Sequence, residues 1–171
     1  MSDGTLGKLV TGGWDEEDES ERNDDLLQLA GFMVGEGTYG IDIMRIKEVL
    51  QSRPYPIRKV PHAPSIIEGV IELRGVVIPV IDLRKRFNVE IDPELDKLNK
   101  LIIVSVRGRI VGLKVDRVIG ELRVASASVR PAPSMLSGID GTPETFFSGV
   151  CKVAGDVVFV LHLDGLIGGG G

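Results

Sequence analysis

Cysteine, histidine and aromatic side chains are scarce in this chain of 171 residues, and each shortage closes off a class of function. Cys151 is the single cysteine, so an intrachain disulfide and a thiolate metal cluster are both excluded, which suits a reducing compartment. The two histidines, His62 and His162, stand far apart, and no H-x-x-E-H, H-E-x-x-H or C-x-x-C spacing occurs, so no metal site is expected. Aromatics make up 5% of the chain, too few to interleave with basic residues into a stacking platform for nucleic acid. No apolar run approaches the roughly 20 residues that cross a bilayer, and the N-terminus has no apolar core of signal-peptide length. A soluble, cytoplasmic protein is expected. None of the 22 glycines falls in a G-x-G-x-x-G or G-x-x-x-x-G-K pattern between a strand and a long helix, so no nucleotide or other cofactor is expected.

Charge is abundant but unevenly placed. Residues 1–25 hold nine acids against Lys8 and Arg22, a net of −7, and the whole chain carries −5, which leaves +2 for the rest. The body is therefore nearly neutral and has no strongly basic field for phosphate neutralisation. The leader, with its like-charge block Asp15 to Glu19, is expected to be disordered, solubilising, or a means of steering a basic partner; Trp14 beside it is read as incidental.

From Leu26 onward β-branched residues dominate, 43% of the chain is hydrophobic, and turn signals recur between short runs. Strands are expected over 26–34 and 38–43, with a bulge or a single helical turn at 45–48. Pro64 suits a first helical turn over 64–68, and Pro79 demands an edge or a bulge. The polar stretch 84–100 is placed between two lobes. Beyond it, strands are expected over 100–106, 109–118, 121–125, 146–153 and 157–163, a loop over 135–143, and a frayed tail over 168–171.

The centre of the pattern is 69–87, GVIELRGVVIPVIDLRKRF. Val70 to Leu73 and Val76 to Leu83 are two apolar segments broken only by Arg74-Gly75, which reads as a hairpin with a five-donor cation at its apex. Such an arginine wants a carboxylate partner. Apolar residues on both faces of Val76 to Ile81 and Val157 to Leu161 exceed what one small core hides, so a sister lobe or a partner is expected to cover the excess. Cys151, His162 and Asp164 could nominally form a nucleophilic triad, but Cys151 sits in an apolar strand and is better read as a small buried hydrophobe. Asp42, Asp82, Asp116 and Asp164, all near strand ends, are expected to cap turns.

That central run resembles the signature G-V-x-N-L-R-G-x-x-x-P-V-x-D-L-R of the CheW family of chemotaxis coupling proteins, with Glu72 where Asn is usual. The likeness continues, in order, through Phe32 with Tyr39 to Ile43, Ile46 to Val49, Val111 to Val118, Arg130 to Pro133, Ser148 to Val150 and Leu161 to Leu166. The resemblance implies an all-β fold of two small SH3-like five-stranded barrels side by side with short helical turns. Lobe one is expected over about 26–92 and lobe two over about 93–167, with room for a terminal strand to cross over. It also implies a non-catalytic adaptor that joins the cytoplasmic tip of a chemoreceptor to the regulatory domain of the histidine kinase CheA, recruited to the inner face of the membrane in arrays that hold other copies of the family. A scaffold of a non-flagellar pathway, governing surface motility or development, is the alternative. By resemblance, Arg74 and Glu48 match the family's motif arginine and glutamate, and they are expected to form an ion pair at the edge of the groove between the barrels that fixes the hairpin for the receptor. Ile46, Leu73 and Val77 are expected at the receptor side and Leu101 and Val118 at the kinase side.

Overall fold

The structure is a computed structural model that describes residues 25–131 and 146–168. Residues 1–24 of the leader with Trp14, the 135–143 loop and the last three glycines lie outside the described residues. Runs of Val, Ile and Leu, restricted at χ1, fall into ten strands: β1 (Leu26–Val34), β2 (Gly37–Asp42), β3 (Ile46–Gln51), β4 (Gly69–Leu73), β5 (Val76–Asp82), β6 (Lys100–Val106), β7 (Arg109–Val115), β8 (Arg117–Ala125), β9 (Phe147–Val153) and β10 (Asp156–Leu161). Two short helices, α1 (Leu83–Arg86) and α2 (Leu163–Gly168), follow β5 and β10, and single 3-10 turns occupy Ile43–Arg45, Leu95–Leu98 and Ser126–Ser128. Gly168 thus ends a helix, where a frayed residue was expected. The 64–68 stretch is a hydrogen-bonded turn, closed by the Ile67 N–H donating to the Pro64 carbonyl, and goes no further toward a helix.

The strands form two five-stranded sheets, ordered β8-β1-β2-β10-β9 and β3-β6-β7-β5-β4. Each curls shut the same way. The chain leaving edge strand β3 bridges the far edge at Arg58 and Val70, and the chain leaving edge strand β8 does so at Arg130 and Val150. Replacing β3, β4, β5, β6 and β7 by β8, β9, β10, β1 and β2 converts one order into the other, and the pairing directions agree, with β5–β7 and β10–β2 the parallel pairs. The lobes are therefore one topology used twice, with the chain entering midway through one copy. The contiguous lobe is β3 to β7; the split lobe is β1 and β2 completed by β8 to β10.

This corrects the expected division near residue 92. The polar stretch 84–100 connects β5 to β6 inside the contiguous lobe, and β1 and β2 leave that lobe because β2 pairs with β10. Pro79, expected at an edge or a bulge, lies in β5, an interior strand, opposite Val70 on β4. However, β7 pairs with β5 only from Val80 onward, so the sheet is open beside Pro79 on that side.

Three apolar clusters hold the molecule together. Leu29, Leu122, Val124, Cys151, Val153, Val158 and Val160 fill the split lobe, and Ile71, Leu73, Ile78, Val80, Leu101 and Ile103 the contiguous lobe. The largest, with Phe32, Ile41, Ile81, Ile102, Val104 and Leu113 among its members, lies between the sheets. The phenylalanines are concentrated: Phe32, Phe87, Phe146, Phe147 and Phe159 all belong to one group of stacked and tilted rings with Tyr39, which stacks on Phe87 of the contiguous lobe at a centroid distance of 5.1 Å. Offset stacking there adds to burial and fixes how the lobes sit together.

Candidate interaction site

The β4–β5 hairpin turns at Arg74 (φ 52°) and Gly75 (φ 83°), both left-handed. This is the primed turn whose twist matches the strands, and it places a β-carbon-bearing residue where glycine is easier. On β3 the pairing with β6 slips between Ile46 and Glu48, leaving Lys47 as a bulge. The two features bring Arg74 to Glu48. Nη1 donates to Oε2 at 2.6 Å and Nη2 to Oε1 at 3.0 Å, a two-pronged fork. The Arg74 hydrogen bonds hold the Glu48 carboxyl below the usual carboxylate range, slight burial opposes this, and the Arg74 charge adds to the lowering. Glu48 in turn raises the Arg74 guanidinium.

Because the pair is solvent-exposed, its contribution to folding is small and its effect is geometric: it ties the hairpin tip to the opposite edge strand of the same barrel. Val76 and Val77, which follow the turn, are exposed, Val77 at 65%. Ile46 and Val118 are half-buried and pack against the interlobe core. Two of the expected contact residues are corrected. Leu73 is 6% and Leu101 is 0% exposed, both inside the contiguous lobe's core, so neither offers a surface to a partner.

The polar centre that sequence reasoning missed is Arg84, 1% exposed at the start of α1. Asp82 grips it with both oxygens at 3.0 Å, Asp96 accepts at 2.8 Å and Asp116 at 3.3 Å. Burial works against the charge, but Asp82 and then Asp96 raise the guanidinium above its ordinary value. For Asp96, burial pushes upward and the hydrogen bond and charge of Arg84 outweigh it, so its carboxyl is lowered. Asp116 also accepts from the Gly35 N–H at 2.6 Å, which carries the network into the split lobe. Asp42, Asp82 and Asp116 accept backbone N–H groups as expected, and the last two also neutralise Arg84. The only advance signal was Asp82 two residues before an arginine flanked by an apolar Leu83.

Cys151, His162 and Asp164 do not assemble. The thiol lies in the split lobe's core, where burial raises its pKa, and Cys151 is opposite Val158, about 13 Å of strand before His162. Asp164 faces Arg45 at 3.8 Å and Arg107 at 3.9 Å. Among the described residues no group of three potential metal ligands occurs, and no helix is long and apolar enough to cross a membrane.

Known proteins are similar to this chain in sequence and fold. The family model described as CheW-like domain matches residues 28–169. The chemotaxis protein CheW of Treponema pallidum is 31% identical over 144 residues, 82% of this chain and 82% of that protein. The CheW of Helicobacter pylori is 30% identical over 149 residues, 87% and 86% of the two. The crystal structure of the scaffolding protein TtCheW from Thermoanaerobacter tengcongensis is similar at a TM-score of 0.71 and 33% identity, covering 82% of this chain and 91% of that one. With a family match across both lobes and a solved relative of the same fold, the chain belongs to the CheW family.

Proposed function

We propose that this CheW-family chemotaxis scaffold couples the cytoplasmic tip of a chemoreceptor to the regulatory domain of a CheA histidine kinase, with no catalysis of its own. The observation that carries this reading is the Arg74–Glu48 fork, an exposed bidentate pair that presets the hairpin tip. Preorganising that tip lowers the ordering cost of binding. Arg74, Glu48, Ile46 and Val77 form the receptor side in this proposal, and Val118 of the split lobe faces the kinase. The contacts are modest in area and partly apolar, suited to reversible signalling. The receptor then changes kinase activity by shifting populations of kinase states, only as far as its contacts differ between them. The protein is recruited to the inner face of the membrane by its partners, in arrays with other family copies.

Reconstitution tests the proposal. The purified protein is combined with a CheA-type kinase and a receptor cytoplasmic fragment, and kinase autophosphorylation is followed. Binding to both with a receptor-dependent change in rate is expected. Binding to neither removes the coupling role and leaves only the fold.

A further inference from the structure

Where β7 crosses to β8, a groove of about 650 Å³ opens between the lobes. Its apolar lining is Met33 of the split lobe with Val89 and Leu98 from the connection between α1 and β6, and Leu98 is 66% exposed. Glu36, Glu90 and Asp92 surround these, and among the described residues none of the three meets a cation. Arg117, also at the wall, turns its guanidinium onto the Met33 sulfur, with Nη2 at 3.1 Å. The floor is Asp116, which is bound to Arg84 at 3.3 Å and to the Gly35 N–H at 2.6 Å. One wall's turn and the other wall's connection are thus tied to one buried network, since Asp96 on the Leu95–Leu98 turn also binds Arg84. The groove is held open before anything enters it.

We propose that this groove docks a basic amphipathic segment of a partner protein, at a place separate from the Arg74 hairpin. An apolar side chain fills the space between Met33, Val89 and Leu98, and lysines or arginines meet Glu36, Glu90 and Asp92. The chain's own leader is excluded as occupant by sign, since it carries nine acids against two bases and would be repelled. The inference does not depend on which receptor or kinase the scaffold serves.

The probe is a synthetic helical peptide of about 18 residues with Leu at i, i+3, i+4 and i+7 spacing and Lys elsewhere, beside a counterpart with Glu in place of Lys. Each is titrated into the isotopically labelled full chain and followed by amide chemical shifts. The Lys peptide is expected to shift Met33, Glu36 and Leu98, to weaken with added salt, and to lose roughly tenfold or more in affinity in the double variant Glu36→Lys, Glu90→Lys. Leu98→Asp, at an exposed position that leaves the fold intact, is expected to weaken it similarly. No binding, equal binding of the Glu peptide, shifts mapping elsewhere, or unchanged affinity in the double variant would overturn the proposal. Groove shifts that grow with protein concentration before peptide is added would assign the groove to a second copy and overturn it as well.

Discussion

The contiguous and split lobes match residue for residue through their closing hairpins, 69–83 against 149–163, and differ at the tip. Gly69 and Gly149 occupy the same niche: a β-carbon on the first would strike the Arg58 carbonyl oxygen, and on the second the Arg130 carbonyl oxygen at 2.8 Å. The turns agree too, Arg74-Gly75 and Ala154-Gly155 all having positive φ. Yet Arg74 has become Ala154, and the position on β8 that corresponds to Glu48 on β3 is Gly120, next to the matching bulge. One lobe therefore carries the exposed ion pair and the other has no side chain to make it. The ends of the hairpins differ in sign as well. Arg84 is surrounded by Asp82, Asp96 and Asp116, whereas its counterpart Asp164 faces Arg45 and Arg107. The packing constraints of the hairpin are repeated in both lobes because the same backbone needs them; the charged groups at its two ends, one exposed and one buried, are not repeated.

Substitutions at the two hairpin ends give the widest separation. Arg84→Met leaves the buried Asp82 without its cation and is expected to cost about 3–5 kcal/mol, while Asp164→Asn, at a more exposed pair, should cost less than about 1 kcal/mol. Denaturant midpoints compare them, and equal losses would break the contrast. Gly69→Ala and Gly149→Ala should each cost roughly 1–3 kcal/mol through the same collision, so thermal melts that separate them widely would contradict the shared topology. Acid acts on Asp96 in the contiguous lobe. The folded pKa of Asp96 is lowered, so its stabilisation is complete above the ordinary aspartate value of about 3.9 and is lost as pH falls through the lower folded value. Unfolding followed between pH 5 and 2 should show this loss, diminished in Asp96→Asn. The smallest stability effect belongs to Arg74→Ala, which should leave the melting temperature nearly unchanged, as Ala154 already does in the sister lobe.

Much of this was visible in the residues. The apolar run Leu26 to Val34 was read as a strand and is β1 at those bounds, and Arg74-Gly75 marked the central hairpin together with its need for a carboxylate. The permuted lobes were not legible, because strand pairing between β2 and β10 is a non-local choice that no local pattern encodes. Leu101 lies in a strand that is apolar on both faces, so parity does not tell core from contact there. Leu73 shares the parity of buried Ile71 and opposes exposed Glu72, a signal that was passed over for its place beside the Arg74 turn. Arg84 was overlooked because it opens a polar stretch that looks solvated, and only the fold converges three aspartates on it.

Receptor-stimulated autophosphorylation of the kinase, measured with Arg74→Glu, Glu48→Arg and the two combined, tests the central claim most directly. Each single reversal should abolish stimulation without unfolding the protein, and the double reversal should restore part of it by remaking the pair. A folded double variant that recovers nothing, or single variants that stimulate normally, would contradict the assignment of the Arg74–Glu48 pair as the element that presets the hairpin for the receptor.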